Sequence, residues 1–447
     1  MSVIVKTDLE FVREKLKSPF GFKGRYLDEL WQTVALVATE RHTAVAPATE
    51  SVLWSDGAVF GENPPAAANA LMMTVTARAL RLLEGRELVR PDLMLDALLP
   101  SLEDYAEAVC GRCVAPTFVL NALVGVDIAL WSLYARENGI DSFDGIVPPY
   151  AKAAMAHRHA QLSHIPLISY AVGEKELRAC LDAGTALLKI KIGKAVSGAP
   201  GSEEDMASMA AWDCARLEQI HAVAKDYRTP CTKDGRVLYY LDANGRYDNK
   251  ERLRLLLDHA DRIGALDRIA LLEEPFAPGD ETDVSDLPVT VNADESAHSV
   301  EDVRRRLALG YRAVALKPIA KTLSVSFRMA AAVYEAGAQC MCADLTVNPF
   351  LAQWNKQFAA RVAPLAKMNV GCLEVNGNQN YITWDAQKAL LPAGVRYADE
   401  DNGVFTLDSD FYRTSGKLFG ENGYHAFFTK KILISSCNSR AIGVKCR

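Results

Sequence analysis

The sequence has no cysteine framework, no uninterrupted apolar run of membrane length and no large excess of one charge. Ten cysteines are scattered over 447 residues. Only Cys110 and Cys113 form a CxxC, and with no second pair or nearby histidines it reads as structural rather than as a zinc or redox centre. Cys340, Cys342 and Cys372 sit in strand-like apolar runs, where free cysteine behaves as a small buried hydrophobe. This usage fits a reducing cytoplasm. The most apolar stretch, Val119–Tyr134, is interrupted by Asn121 and Asp127 and falls short of the roughly 18 residues of a membrane span. The start, MSVIVKTDLEF, lacks the cationic and apolar regions of a signal peptide. A net charge of −6 gives no electrostatic reason to expect nucleic acid or an anionic membrane as partner. Internal repeats and low-complexity tracts are also missing.

What the chain does have, from about Ile165 onward, is a rhythm. Short β-branched runs alternate with segments of helical period, the pattern of a parallel α/β sheet or barrel. The strand-like runs are Ile165–Tyr170, Ala186–Ile192, Val237–Asp242, Ile269–Glu273, Val289–Asp294, Ala313–Lys317, Gln339–Asp344 and Gly371–Val375. Helical stretches include Asn249–Ile263, Val300–Leu309 and Leu323–Ala336. Eight strands over about 210 residues suit a (β/α) barrel. A doubly wound open sheet is the alternative, but no glycine-rich phosphate loop follows the first strand. The long connection 193–236 reads as an insertion beside the second strand.

The first residues follow another pattern. Helical segments Leu71–Leu83 and Leu93–Leu99 are accompanied by two loops rich in glycine and aromatics, SPFGFKGRY and WSDGAVFGEN. Leu120–Glu137 is apolar nearly all round and reads as a buried helix. These changes divide the chain into an α+β unit at 1–140, a barrel at 141–390 and a tail at 391–447 that returns to pack on the first unit.

Six of the strand-like runs end in an ionisable residue, at the end where a barrel enzyme builds its active site. They give Lys189-Ile190-Lys191, Asp242-Ala243-Asn244, Glu273-Glu274-Pro275, Asp294-Glu295-Ser296, Lys317-Pro318 and Asp344. The spacings of 31, 21 and 23 residues from Asp242 through Glu273 and Asp294 to Lys317 each fit one βα unit. Three carboxylates from neighbouring strands are hard oxygen ligands suited to Mg²⁺. Residues two apart on a strand share a face, so Lys189 and Lys191 point together to the barrel mouth, with Lys317 four strands away. An isolated strand-end carboxylate is usually a helix cap or ion-pair partner; Lys189, Lys191, Asp242, Glu273, Asp294 and Lys317 falling there together point to a site.

The order KxK, DxN, EEP, DES and LKP, preceded by the helix GVDIALWSLYARENG, resembles the enolase superfamily in its mandelate racemase/muconate lactonising branch. The resemblance covers roughly residues 120 to 380. It implies a modified (β/α)7β TIM-like barrel under an α+β capping domain formed by both chain ends. It further implies one Mg²⁺ held by Asp242, Glu273 and Asp294, with Lys191 and Lys317 as acid/base groups and Lys189 tuning Lys191. Asn244, Glu274, Glu295 and Asp344 are expected to orient these groups. The implied partner is a small carboxylate, bound by a homo-oligomeric enzyme. The chemistry is coherent: Mg²⁺ on the substrate carboxylate stabilises the enediolate left when a neighbouring proton is removed, and a nearby cation lowers a lysine's pKa toward that of a base.

Departures narrow the reaction. The seventh run, CMCADLTVNP, carries no histidine, which disfavours a histidine–aspartate mechanism. Two opposed lysines instead resemble dipeptide epimerases, N-acylamino acid racemases, o-succinylbenzoate synthases and muconate cycloisomerases. Epimerisation leads, because a base on each face of a carbon serves a 1,1-proton transfer. Dehydration or cycloisomerisation is the alternative, and a non-catalytic binding role on the same fold a further one. Dipeptide epimerases hold the substrate ammonium with a DxD after the eighth strand; here Glu374-Val375-Asn376 stands near that place. Phe22 and Trp54, with Phe20, Lys23 and Phe60, lie in the two aromatic loops and are expected to form an apolar lid. The eight histidines, His298 just past DES among them, read as structural or surface groups.

Overall fold

The computed structural model describes residues 2–22, 25–395 and 399–428, and of residues 20–22 and 25 the backbone alone. The chain opens with an antiparallel meander of β1 (Lys6–Phe22), β2 (Arg25–Ala38) and β3 (Thr43–Glu50). Of the SPFGFKGRY segment, expected as a loop, residues 20–22 and 25–26 instead extend the β1–β2 pairing. WSDGAVFGEN is not a loop either: Val52–Ser55 and Gly57–Glu62 are short helices, the second capped by Asp56, which accepts from Ala58 and Val59 N–H.

Three longer helices, Pro65–Leu83, Pro91–Cys110 and Pro116–Glu137, back this sheet. The second runs straight through Pro100, where the sequence suggested an end at Leu99. A proline inside a helix costs about 3 kcal/mol, but Leu98, Leu102 and Ala106 continue one buried stripe across it, and that packing prevails. The third helix is long and apolar enough to cross a membrane, yet its most apolar window is 94% buried inside the protein. A Cβ at Gly125 would stand 3.2 Å from Ala48 Cβ and 3.3 Å from Ala46 O, so glycine lets this helix lie directly on β3.

The barrel begins at β4 (Gln161–Ile165) and β5 (Leu167–Ile168) and continues through β6 (Leu187–Lys191), β7 (Leu238–Asp242), β8 (Ile269–Glu273), β9 (Val291–Ala293), β10 (Ala313–Leu316), β11 (Gln339–Cys342) and β12 (Gly371–Glu374). All are parallel in chain order, and β12 pairs back onto β4. β4 and β5 are one strand split at Pro166, which has no N–H to donate. Its first half pairs with β12 and its second with β6, which closes the barrel. The fold is thus a TIM-like barrel with a cap, as expected from the sequence. One connection departs from strict alternation: no helix lies between β8 and β9, where Pro275, Pro278 and Pro288 break up the segment. Side chains cap the helices after β7, β9, β10 and β11, with Asn249, Ser299, Thr322 and Asn348 each accepting the N–H three residues on.

The tail meets both units. β13 (Val404–Thr406) pairs antiparallel with β4. Beyond it, Ser415 Oγ accepts from Phe143 N–H, Phe419 O accepts from Arg136, and Asn422 Nδ2 donates to Val45 O on β3. Barrel and cap helices are joined at Asp127, whose carboxylate accepts Ser324 N–H and Oγ–H at the start of helix Leu323–Glu335, beside Trp131 Nε1 on the same hydroxyl. Burial pushes the Asp127 carboxyl up to about 6. Asp127→Ala strands two buried donors, so it should cost about 2–4 kcal/mol; chemical denaturation checks this, and a loss below about 0.5 kcal/mol would remove the joint's importance.

Candidate active site

The inward faces of the strands explain the site. Leu187, Leu238, Tyr240, Leu271, Ala313, Ala315, Met341 and Cys372 form an apolar layer inside the barrel. With a period of two residues, the next inward positions are Lys189, Asp242, Glu273, Lys317 and Glu374, so the charges make the layer above. Lys189 is 3% exposed, and its Nζ lies 3.2 Å from Asp242, 3.2 Å from Glu273 and 3.1 Å from Glu374. Lys191 Nζ donates to the same Asp242 Oδ2 at 2.6 Å and to Asn244 Oδ1 at 2.5 Å. Across the mouth, Lys317 Nζ donates to Asp294 Oδ2 at 2.5 Å beneath the ring of Trp54, 4.7 Å away. Backbone strain gathers here. Asn244, Glu274, Thr322 and Thr346 all have positive φ, an expense that usually marks functional sites.

Charge is unbalanced. Asp242, Glu273, Glu274, Asp294, Glu295, Asp344 and Glu374 are all buried, against the ammonium groups of Lys189, Lys191, Lys317 and Lys321. Burial pushes Glu273 up to about 7, opposed by Lys189, and burial with the neighbouring Glu295 pushes Glu274 up to about 8. Burial also lifts Asp344 to about 6, helped by Glu374. Asp294 goes the other way: despite burial, Lys317 and Lys321 hold it well below the carboxylate range. Burial alone would lower Lys189 and Lys317, yet the carboxylates around each outweigh it and raise both.

Such an acid-rich, oxygen-only donor set fits a hard divalent cation, which would supply the missing positive charge. Among the described residues, the carboxylates whose oxygens lie within 4.8 Å of one another are Glu273, Asp294 and Glu295. Asp242 stands beside this group, drawn toward Lys189 and Lys191. Glu295 is held by Asn244 Nδ2 at 3.1 Å, and Glu274 braces the next strand end by accepting Asp294 N–H and Ser296 N–H and Oγ–H.

No family model matches the chain, and no curated protein matches it. Solved structures do. A mandelate racemase/muconate lactonizing protein from Herpetosiphon aurantiacus is 16% identical with a TM-score of 0.63, over 91% of this chain and 96% of that one. The L-Ala-D/L-Glu epimerase of Bacillus subtilis, in a substrate-liganded complex, gives 16% and 0.62 over 91% and 96%. A dipeptide epimerase from Enterococcus faecalis V583, complexed with Mg and L-Leu-L-Tyr, gives 14% and 0.63 over 91% and 97%. The fold is that of the enolase superfamily.

On this enolase-superfamily fold, the remaining residues named from the sequence fall in several places. Glu374 is committed within the site: its Oε2 accepts from Lys189 and from Asp344 N–H. Asp344 accepts Asn376 N–H at 2.7 Å, which fixes the turn after β12. Trp54 comes down from the cap beside Leu27, Leu30 and Ser51 and, with Leu167, Leu345 and Thr346, walls the cavity above the charges. Phe60 is buried in the cap core rather than in that wall. Lys23 and the side chains of Phe20 and Phe22 lie outside the described residues. His298 bonds the Asp302 carboxylate in the first turn of helix Val300–Ala308 and does not line the cavity. One buried cation escaped the sequence reading. Lys321, four residues after Lys317, has no strand-end position to mark it.

Glu274 offers a direct check of the electrostatics. Its folded carboxyl titrates near 8, against about 4.3 when unfolded, so the folded state binds the extra proton between these values. Its contribution to stability is full at low pH and lost as pH rises through about 8. Glu274→Gln should therefore melt progressively higher than wild type, both metal-free, as pH goes from 6 to 9. A constant difference across that range would contradict the burial of this acid.

Proposed function

We propose that this protein is a Mg²⁺-dependent racemase or epimerase that removes the proton beside a substrate carboxylate, with Lys191 and Lys317 acting on opposite faces. One observation carries the reading. The two lysines stand on strands four places apart, on either side of the buried acids, each held to a different carboxylate, Asp242 and Asp294. The likeness to epimerase structures, among them one with Mg and a dipeptide, supports it.

Asp242, Glu273 and Asp294 would hold the metal, with Glu295 beside them. Bound there, Mg²⁺ supplies the positive charge that stabilises the extra negative charge on the deprotonated substrate. Lys189, saturated by three carboxylates, keeps those acids in place below Lys191. One lysine takes the proton and the other returns one from the far side. The wall of Leu27, Leu30, Trp54, Leu167 and Leu345 excludes water and accepts an apolar group. Because Lys189 and the Asp344 N–H take Glu374 Oε2 and Asn376 Nδ2 faces its Oε1, a free substrate ammonium is poorly served there, and N-acylated amino acids fit better than dipeptides.

A second reading has its own support. The Lys317–Asp294 ion pair favours a permanently charged Lys317, which would suit dehydration or cycloisomerisation with Lys191 as the single base. Proton exchange with D₂O separates the two. Under the racemase reading, Lys191→Ala should abolish α-proton exchange from one enantiomer of an N-acyl amino acid and spare the other, and Lys317→Ala should do the reverse. Loss of all exchange in Lys191→Ala, with Lys317→Arg still active, would favour the single-base reaction and overturn the racemase.

For the metal, calorimetry with MgCl₂ is decisive. Asp242→Asn should weaken binding more than Glu295→Gln, whose effect should stay within about 10- to 100-fold. The opposite ranking would make Glu295 the third ligand and Asp242 a partner of the lysines alone.

A further inference from the structure

Four lysines serve this site. Lys189, Lys191 and Lys317 line the cavity, whereas Lys321 lies behind it, saturated with oxygen acceptors. Lys321 is fully buried, and its ammonium donates to Asp294 O at 2.6 Å, Ala297 O at 2.8 Å and Asp294 Oδ1 at 3.1 Å. Three donors meet three acceptors, so nothing remains to offer a substrate. Lys317 donates to the other oxygen of the same carboxylate, Oδ2. The backbone delivers both side chains through a tight turn, with Ala320 N–H and Lys321 N–H both donating to Lys317 O.

This turn is held at a cost. Thr322, the next residue, has φ 68° and ψ 152°, a region essentially reserved for glycine and worth about 1–3 kcal/mol of strain. It is fully buried and β-branched, and Val325 N–H and Ser326 Oγ–H bind it in that conformation. Thr322 caps the following helix in this conformation, and Lys321, the residue before it, points back under Asp294.

Resting on the two-lysine reading above, we propose that Lys321 is a positioning residue for Lys317. It grips Asp294 through Oδ1 and its own main-chain carbonyl, fixes the carboxylate plane, and leaves Oδ2 as the only seat for the Lys317 ammonium. Lys189 shares Asp242 with Lys191, but there both ammonium groups meet the same oxygen, Oδ2, so the two-oxygen arrangement belongs to Lys317 and Lys321.

The test is stereochemical. In Lys321→Met, D₂O exchange from the enantiomer deprotonated by Lys317 should fall by about 10-fold or more, and exchange from the Lys191 enantiomer should change by less than about threefold. A purely structural role would slow both alike, and equal slowing in a folded variant overturns the proposal. Should Lys321→Met fail to fold, Lys321→Arg keeps the charge but not the three-acceptor fit, and the same asymmetry is expected. Lys317→Ala is the control for the reading beneath: if that variant slows both enantiomers equally, the two-lysine reading has failed. The crystal structure of the Lys321 variant then decides alone. Asp294 should turn away from Lys317, and an unmoved Asp294–Lys317 contact would overturn the positioning role.

Discussion

Everything at the barrel mouth depends on burying more negative than positive charge. Taking even one carboxylate out of water costs several kcal/mol unless it is paired, and seven are crowded here around four ammonium groups. The fold tolerates this because the acids and lysines are interleaved strand by strand and their orientations are fixed by main-chain donors such as Asp294 N–H on Glu274 and Asn376 N–H on Asp344. The cap contributes through Trp54, whose ring faces the Lys317 ammonium. Cap and barrel are therefore joined electrostatically as well as by packing.

Much of this was legible in the sequence because strand geometry converts position into direction. A charge at the end of an apolar run points into the barrel mouth, and Lys189, Lys191, Asp242, Glu273, Asp294 and Lys317 all stand there. The helix ends were equally readable, since Asn249 and Thr322 carry capping chemistry in their side chains. Other features left no local mark. Lys321 is hidden in a turn whose conformation its sequence does not favour. Pro100 suggests a helix end that buried Leu102 and Ala106 override. The pairing of β13 with β4 joins residues far apart, which no short window reveals. Whether Asp242 or Glu295 completes the acidic group is set by where two lysine side chains reach, a matter of ångströms rather than spacing.

At 14–16% identity to three solved structures the fold is shared. Asp344, Glu374 and Asn376 bind one another and Lys189, so this side of the mouth is a rigid wall. The other side of the mouth is apolar, where cap and barrel leucines meet.

The division of the first barrel strand at Pro166 bears on how the chain is made. Ser163 on β4 is partnered by Val404, more than two hundred residues later. While synthesis proceeds from the N-terminus, the first half of that strand emerges with both edges bare and stays half-paired until β13 leaves the ribosome. An open parallel edge is a template for joining another chain, and contacts this distant in sequence form slowly. The same break that lets one strand serve two neighbours therefore leaves the nascent barrel exposed to misassembly until its tail arrives.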